Sequence, residues 1–328
     1  MDQPVRTWLR RVLAAAAAAA ALPGVIAAVD TTPQANAFSR EGLPVEYLDV
    51  YSPAMGRIVR VQFQPGRSES DESKAVYLLD GMRARDDYNG WDIETAAFEW
   101  FFDSGVATVM PVGGEAGFYT DWYSPSSLNN QAYTYKWETF LTDELPAWLA
   151  ANKHVSTTGN AVVGVSMSGS AALILAAHHP DQFGYAASLS GYLNPSAPTV
   201  QQAIRVAMLD AGGYSVDSMW GAPWDGAWKR NDPTHQVAKL AANGTRLWIY
   251  CAPGESTPPA VDADPTAASL DASAPKSNKD FQKAYETAGG NNATFEFPAQ
   301  GNHAWPNWGA QLQTLKPDLV TTLKGGGA

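Results

Sequence analysis

Asn160-Ala161-Val162-Val163-Gly164-Val165-Ser166-Met167-Ser168-Gly169 is the stretch whose reading decides the fold. Its apolar run, Ala161 to Val165, predicts a short buried strand, and Ala171 to Ala177 predicts a buried helix soon after it. Ser166 therefore stands at a strand-to-helix turn. In that setting a Gly-x-Ser-x-small pattern reads as a nucleophile elbow: Gly164 and Ser168 carry little bulk, so the turn can be tight enough to push Ser166 outward. A helix starting behind the serine would aim N–H groups and the positive end of its dipole at developing negative charge. A glycine-loosened loop with a capping serine carries the same letters. An acid and a histidine further along the chain are what separate the two readings.

On the N-terminal side, Glu46 to Tyr51 and Ile58 to Gln64 predict an opening hairpin, the second segment alternating between apolar and polar residues. Ala75 to Leu79 and Ala107 to Pro111 are continuous apolar runs of buried-strand type, with a helix predicted over Glu94 to Ser104 between them. Asp80-Gly81-Met82-Arg83 follows a strand's carboxyl end, where open α/β sheets hold their ligands. Gly113 to Ser127 reads as a surface loop, and Trp137 to Asn152 has apolar residues at helical spacing. Beyond the elbow, Tyr185 to Leu189, Arg246 to Cys251 and Ala293 to Phe297 predict strands. Residues 200 to 239 are helical in parts, and their Trp220, Trp224 and Trp228 read as core more readily than as a sugar-stacking surface. Residues 252 to 279 read as loop-rich, Asp280 to Ala288 and Trp308 to Leu323 as helices, and 324 to 328 as a disordered tail. Alternating strands and helices specify an α/β fold, a mostly parallel central sheet with helices on both faces in a single domain over 38 to 323.

Arg6, Arg10 and Arg11 precede an apolar run, Val12 to Val29, that ends near Ala35-Asn36-Ala37, a small-x-small cleavage pattern. Residues 1 to 37 are expected to be a signal peptide, removed on export, and Arg10-Arg11 is compatible with a twin-arginine signal. The full chain has a formal net charge of −11. Losing three arginines and two aspartates leaves the mature chain one charge more negative, which argues against a nucleic-acid partner. A single cysteine, Cys251, excludes an internal disulfide, so the exported protein must rely on its core. No second long apolar run follows, so no transmembrane segment is expected in the mature chain.

A serine hydroxyl needs a base to take its proton, and the base needs an acid to orient it. Of the five histidines, His303 is the best base: it lies in Gly301-Asn302-His303-Ala304-Trp305, just after the last predicted strand, where an α/β hydrolase places its catalytic histidine. His178 and His179 fall at the end of the elbow helix and read as structural. Asp271, Glu255, Asp262 and Asp264 all lie between the late strand and His303, in the order serine, acid, histidine. Pattern alone favours Glu255, the nearest to the strand end.

With these residues in view, the chain resembles the antigen 85 mycolyltransferases of mycolic-acid-containing actinobacteria. The resemblance runs from Phe38-Ser39-Arg40 to the closing helix. It is carried by Tyr77-Leu78-Leu79-Asp80-Gly81, by Asp86-Asp87-Tyr88-Asn89-Gly90-Trp91-Asp92-Ile93, and by Tyr135-Lys136-Trp137-Glu138-Thr139-Phe140-Leu141. Arg230-Asn231-Asp232-Pro233-Thr234 and the His303 segment add to it.

The resemblance implies an α/β-hydrolase fold and a serine acyl-enzyme. It also implies transfer of a mycoloyl chain from trehalose monomycolate to a second such molecule or to cell-wall arabinan, with no metal or cofactor. Ser166 falls on the family's nucleophile and His303 on its histidine. Counting back from Phe281, the family's catalytic glutamate falls on Asp271, with Glu255 in reserve. The resemblance likewise implies an oxyanion hole from the backbone N–H groups of Met82 and Met167. Asp80, Arg83, Ser190 and Trp305 correspond to positions lining a trehalose pocket, and Glu94 replaces the family's pocket asparagine. Cys251 corresponds to a cysteine close to the family's active site. Two alternatives stand beside this: a plain secreted esterase, and a non-catalytic relative adhering to carbohydrate or to an extracellular matrix protein such as fibronectin.

Overall fold

β-branched and aromatic runs bounded by turn residues form the strands of this protein, seen here in a computed structural model that describes residues 41–66, 72–254 and 265–325. Of residues 265–272 it describes the helix and not the side chains. The predicted signal peptide and residues 326–328 lie outside the described residues, while Lys324 and Gly325 form a turn that closes the last helix. The strands are β1 (Glu46–Ser52), β2 (Arg57–Gln64), β3 (Ala75–Leu79), β4 (Ala107–Pro111), β5 (Asn160–Val165), β6 (Phe183–Leu189), β7 (Arg246–Tyr250) and β8 (Ala293–Glu296). They make one eight-stranded sheet in the order β1-β2-β4-β3-β5-β6-β7-β8. The first two pairings, β1 with β2 and β2 with β4, are antiparallel, and all the others are parallel. The α/β expectation is met.

The helices are α1 (Gly90–Ile93), α2 (Ala97–Phe101), α3 (Trp137–Thr139), α4 (Leu145–Lys153), α5 (Met167–His178), α6 (Pro198–Gly212), α7 (Val216–Trp220), α8 (Gly226–Arg230), α9 (Val237–Asn243), α10 (Pro265–Thr287) and α11 (Trp305–Leu323). A π-helical turn, Phe140–Glu144, joins α3 to α4. The period-2 alternation of strand side chains divides the interior into two cores. Tyr77, Leu79, Val109, Val162, Ala186 and Ile249 face α5 on one side of the sheet. Val76, Leu78, Met110, Val163, Ala187 and Trp248 face Leu312, Leu315 and Leu319 of α11 on the other.

Three boundaries differ from expectation. The single helix over 94–104 is two short ones, because the Asn89 side chain caps the Trp91 N–H and starts α1 early, while the Thr95 hydroxyl donates back to the Trp91 carbonyl as it ends. The loop-rich reading of 252–279 is corrected by α10, which begins at Pro265, a residue suited to the first helical turn, and runs through Pro275. The closing helix starts three residues early, at Trp305, with Pro306 in its first turn. Trp220 and Trp228 are core residues in T-shaped contact at 5.0 Å, whereas Trp224 is 87% exposed. No helix of the described residues is long and apolar enough to cross a membrane.

Candidate active site

β5 ends at Val165 and α5 begins at Met167, so Ser166 alone makes the turn, at φ 53° and ψ −121°. A non-glycine residue with that φ is strained, and such strain is typical of a nucleophile held out from its backbone. The neighbours make room for it. A Cβ on Gly164 would overlap the Ser168 carbonyl, so only glycine fits there. The Ser168 hydroxyl accepts from the Val165 N–H at 2.9 Å and lies 3.0 Å from the carbonyl oxygens of both Leu79 and Val165, tying the end of β3 to the elbow.

The loop after β3 is fixed from below. Asn89 donates to the carbonyls of Leu78 (3.3 Å) and Pro111 (2.7 Å), and its own N–H donates to Gln62 Oε1 at 2.7 Å. Asp80 accepts from the N–H groups of Gly81 and Gly90, each at 2.7 Å. Burial pushes the Asp80 carboxyl up to about 6, against the pull of those two N–H groups and with the help of the nearby Glu94 charge. A Cβ on Gly81 would sit 3.9 Å from Ser166 Cβ, which places the turn into Met82 beside the serine.

A cleft of about 540 Å³ opens over this junction. Ser166, His303, Asp80, Met82, Arg83, Glu94 and Trp305 line it, so six of the sequence-selected residues and the substituted Glu94 share one cavity. Ser166 is 8% exposed at its floor. Arg83 pairs with Asp210 of α6 across the rim, and Trp305 stands edge-on to Trp91 at 5.3 Å. Met167 is the first residue of α5, where N–H groups lack a carbonyl one turn back, and its sulfur accepts from the Phe118 N–H. Ser190 does not line the cleft: it is 2% exposed and its hydroxyl accepts from Trp308 Nε1 at 3.2 Å. The Asp271 side chain and all of Glu255 lie outside the described residues.

His303 is on the loop between β8 and α11. Its ring lies near-parallel to Tyr192 (6.1 Å, 13°) and edge-on to Trp308 (4.9 Å, 84°). Burial holds its imidazole down, to about 4, so the ring is neutral and able to accept a proton near pH 7. Sequence reasoning missed Tyr192, Trp308 and Asp210. Only Trp308 left a signal, as the second tryptophan of Trp305-Pro306-Asn307-Trp308 on one helical face.

A second hollow, of about 620 Å³, lies over Glu138, His179 and Arg230. There Glu138 Oε1 accepts from His179 (2.8 Å) and Arg230 (2.6 Å). These groups satisfy one another, and neither Ser166 nor His303 lines that hollow. His179 is thereby structural, as is His178, which meets the Arg230 carbonyl at 3.3 Å. Among the described residues no group of three or more His, Cys, Asp or Glu side chains is set to hold a metal ion.

Residues 52–319 match the model of a family described as putative esterase. The chain is 54% identical to the diacylglycerol acyltransferase/mycolyltransferase Ag85B of Mycobacterium intracellulare, with 100% of this chain and 99% of that one covered. It is also 54% identical to the Ag85C enzyme of Mycobacterium avium, over 98% of this chain and 89% of that one. It belongs to the antigen 85 family. Within that family a solved relative, MPT51 of Mycobacterium tuberculosis, superposes with a TM-score of 0.75 at 38% identity, covering 85% of this chain and 99% of its own. The fold reaches further: FphF, a fluorophosphonate-binding serine hydrolase of Staphylococcus aureus, superposes at 0.64 with 17% identity, over 84% of this chain and 99% of its own. This antigen 85 chain thus has the α/β-hydrolase fold.

Proposed function

We propose that this protein transfers a mycoloyl group between trehalose-containing glycolipids through an acyl-enzyme on Ser166. The observation that supports it most is the shared cleft: a strained, outward-turned Ser166, a neutral His303 and the Asp80–Met82 turn line one cavity in a chain 54% identical to named mycolyltransferases.

In the first step His303 takes the Ser166 proton as the hydroxyl oxygen attacks the ester carbonyl of trehalose monomycolate. The new serine ester forms, the bond to the sugar oxygen breaks, and trehalose leaves with the proton returned by His303. In the second step a hydroxyl of another trehalose monomycolate, or of cell-wall arabinan, gives its proton to His303 and attacks the serine ester, restoring Ser166. Asp271 is our acid, orienting His303 and balancing its positive charge. The N–H groups of Met82 and Met167 receive the oxyanion in both steps, each donor contributing about 3–4 kcal/mol to the transition state. Transfer outruns hydrolysis because the acceptor hydroxyl is held in place better than water. Asp80, Arg83 and Trp305 are the sugar-binding side chains, by hydrogen bonding and by covering a sugar face. Ser190 supports them from behind through Trp308.

We also read residues 1–37 as an export signal, with the enzyme working in the cell envelope or outside the cell. N-terminal sequencing of the protein from culture fluid is expected to begin at Phe38.

The test is a product assay on trehalose monomycolate, with Ser166→Ala alongside. Trehalose dimycolate and free trehalose, both lost in the variant, are expected. Free mycolic acid as the only lipid product would replace the proposal with an esterase, and equal inactivity of both proteins would replace it with a binding protein.

A further inference from the structure

Asp80 and Trp305, two cleft side chains far apart in sequence, meet at a glycine. A Cβ on Gly90 would lie 2.4 Å from Trp305 Cζ2, 2.8 Å from its Cη2 and 2.6 Å from Asp80 Oδ1. Carboxylate and indole therefore converge on the spot that a side chain of residue 90 would fill, and both line the cleft.

The backbone beneath this corner is fixed. Gly90 is the first residue of α1, directly after its cap, Asn89. Asn89 is buried and bonded to three strands: to β3 through the Leu78 carbonyl, to β4 through the Pro111 carbonyl and to β2 through Gln62. The Gly90 N–H donates to Asp80 Oδ2 at 2.7 Å, and its carbonyl accepts from the Glu94 N–H at 2.9 Å. On the next residue, Trp91 Nε1 donates to the Leu79 carbonyl at 3.0 Å. Gly90 cannot back away from the corner without breaking these bonds.

The two walls are held as well. Asp80 Oδ1 accepts from the Gly81 N–H at 2.7 Å. The Trp305 ring stands edge-on to Trp91 (5.3 Å, 82°) and to Trp308 (5.2 Å, 83°), both of them buried. A carboxylate beside an indole is the pairing that a sugar ring needs, because its C–H face packs on the aromatic ring while its rim hydroxyls donate to the acid.

We propose that Gly90 is a positioning residue for sugar recognition: by carrying no side chain it lets the Asp80 carboxylate and the Trp305 indole close to the spacing at which one pyranose ring engages both. A single methyl at residue 90 drives the two walls apart. This rests on the reading of the cleft as a trehalose site.

The test measures the dissociation constant of free trehalose by isothermal titration calorimetry for the parent, Gly90→Ala, Trp305→Phe and the double variant. Phenylalanine lacks the far ring of the indole, which carries Cζ2 and Cη2, and so makes room for the methyl. Gly90→Ala is expected to weaken trehalose binding on the order of tenfold. In the Trp305→Phe background the same methyl weakens it by less than about threefold, because the two changes are coupled through one contact. In the product assay the loss in Gly90→Ala falls on KM rather than on kcat, a split that a merely destabilising substitution does not produce. If Gly90→Ala does not fold, the double variant is expected to fold and to melt with Trp305→Phe; a double variant that also fails would overturn the proposal, since the methyl would then be meeting something other than the indole. A folded Gly90→Ala protein that binds trehalose as the parent does would overturn it too, as would equal weakening by the methyl in both backgrounds. Failure of the underlying reading shows separately, as a parent protein that binds no trehalose although a small fluorophosphonate still modifies Ser166, and it would take the proposal with it.

Discussion

Acid is the perturbation that separates a buried catalytic histidine from an ordinary one. His303 is held at about 4 by burial, against an ordinary value of 6.5. Ser166 reacts only while that imidazole is neutral, so the rate of fluorophosphonate labelling tracks the neutral fraction. At pH 5.5 a histidine titrating at 4 is about 97% neutral, whereas one titrating at 6.5 is about 9% neutral. Labelling from pH 7.5 to 5.5 is therefore expected to fall by a few per cent, with its midpoint about 2.5 pH units below the ordinary position. Stability follows a different course. Between pH 6.5 and 4 the unfolded chain protonates His303 and the folded one does not, so this group destabilises the fold as pH falls, by up to ~3 kcal/mol. Asp80 acts in the opposite sense: its folded value is about 6 against an ordinary 3.8, so the folded state takes up the proton first and gains stability as pH falls through about 6. The two contributions are similar in size and opposite in sign. The melting temperature is then expected to change little between pH 6.5 and 4 on their account. A labelling midpoint near 6.5 would refute the reasoning, because it would show that burial does not govern the titration of this ring.

Four further outcomes are expected. In Asp80→Asn one of the two N–H groups of Gly81 and Gly90 loses its acceptor, costing about 1–3 kcal/mol, and the turn into Met82 loosens; urea unfolding should show the first and a lower kcat in the product assay the second. Gly169→Ala brings a Cβ to 2.7 Å from Ser188 Oγ and 2.8 Å from Gly191 Cα, an overpacking worth about 1–3 kcal/mol, and it should lower labelling of Ser166 by displacing the 190–192 turn. Glu138 is driven down to about 2: burial works to raise it, but hydrogen bonds from His179 and Arg230 outweigh that. Its contribution is present above pH 4.5 and is lost as pH falls through about 2, so Glu138→Gln should lower stability at pH 7 in urea unfolding while leaving activity per folded molecule unchanged. Cys251 is 3% exposed, and a Cβ on Gly301 would meet Ala252 Cβ at 2.9 Å, so the His303 loop packs beside the cysteine; complete labelling with a bulky thiol reagent should abolish transfer, and unchanged activity would show that this packing does not matter.

The sheet was legible because its strands are short apolar runs with turn residues at their ends. Ala75–Leu79 and Ala107–Pro111 need only that pattern, and both are buried along their whole length. The elbow was legible for the same reason: a buried strand ending at Val165 and a buried helix expected from Ala171 put Ser166 at the turn between them, and the helix in fact begins already at Met167. Helix boundaries were harder. The start of α1 depends on an asparagine that also staples β3 to β4, and that long-range role is invisible in a local window. In α10, Pro275 reads locally as a break, yet the helix passes through it. Ser190 and Tyr192 show the limit most plainly. The family resemblance put Ser190 in the sugar pocket, but here its hydroxyl accepts from Trp308, and the tyrosine two residues on lies against His303, which is more than a hundred positions away in sequence. Such contacts are set by how the 190–192 turn lies on α5, and pattern carries no information about that.

The central claim is that the acyl group rests on Ser166 between donor and acceptor. The most direct measurement is to mix the protein with trehalose monomycolate, quench in acid within a turnover, digest, and weigh the peptide containing Ser166. A mycoloyl ester on that serine, formed before trehalose dimycolate appears and consumed as it accumulates, is the predicted result. Dimycolate formed at full rate with that peptide never acylated, or by a Ser166→Ala protein, would contradict the account.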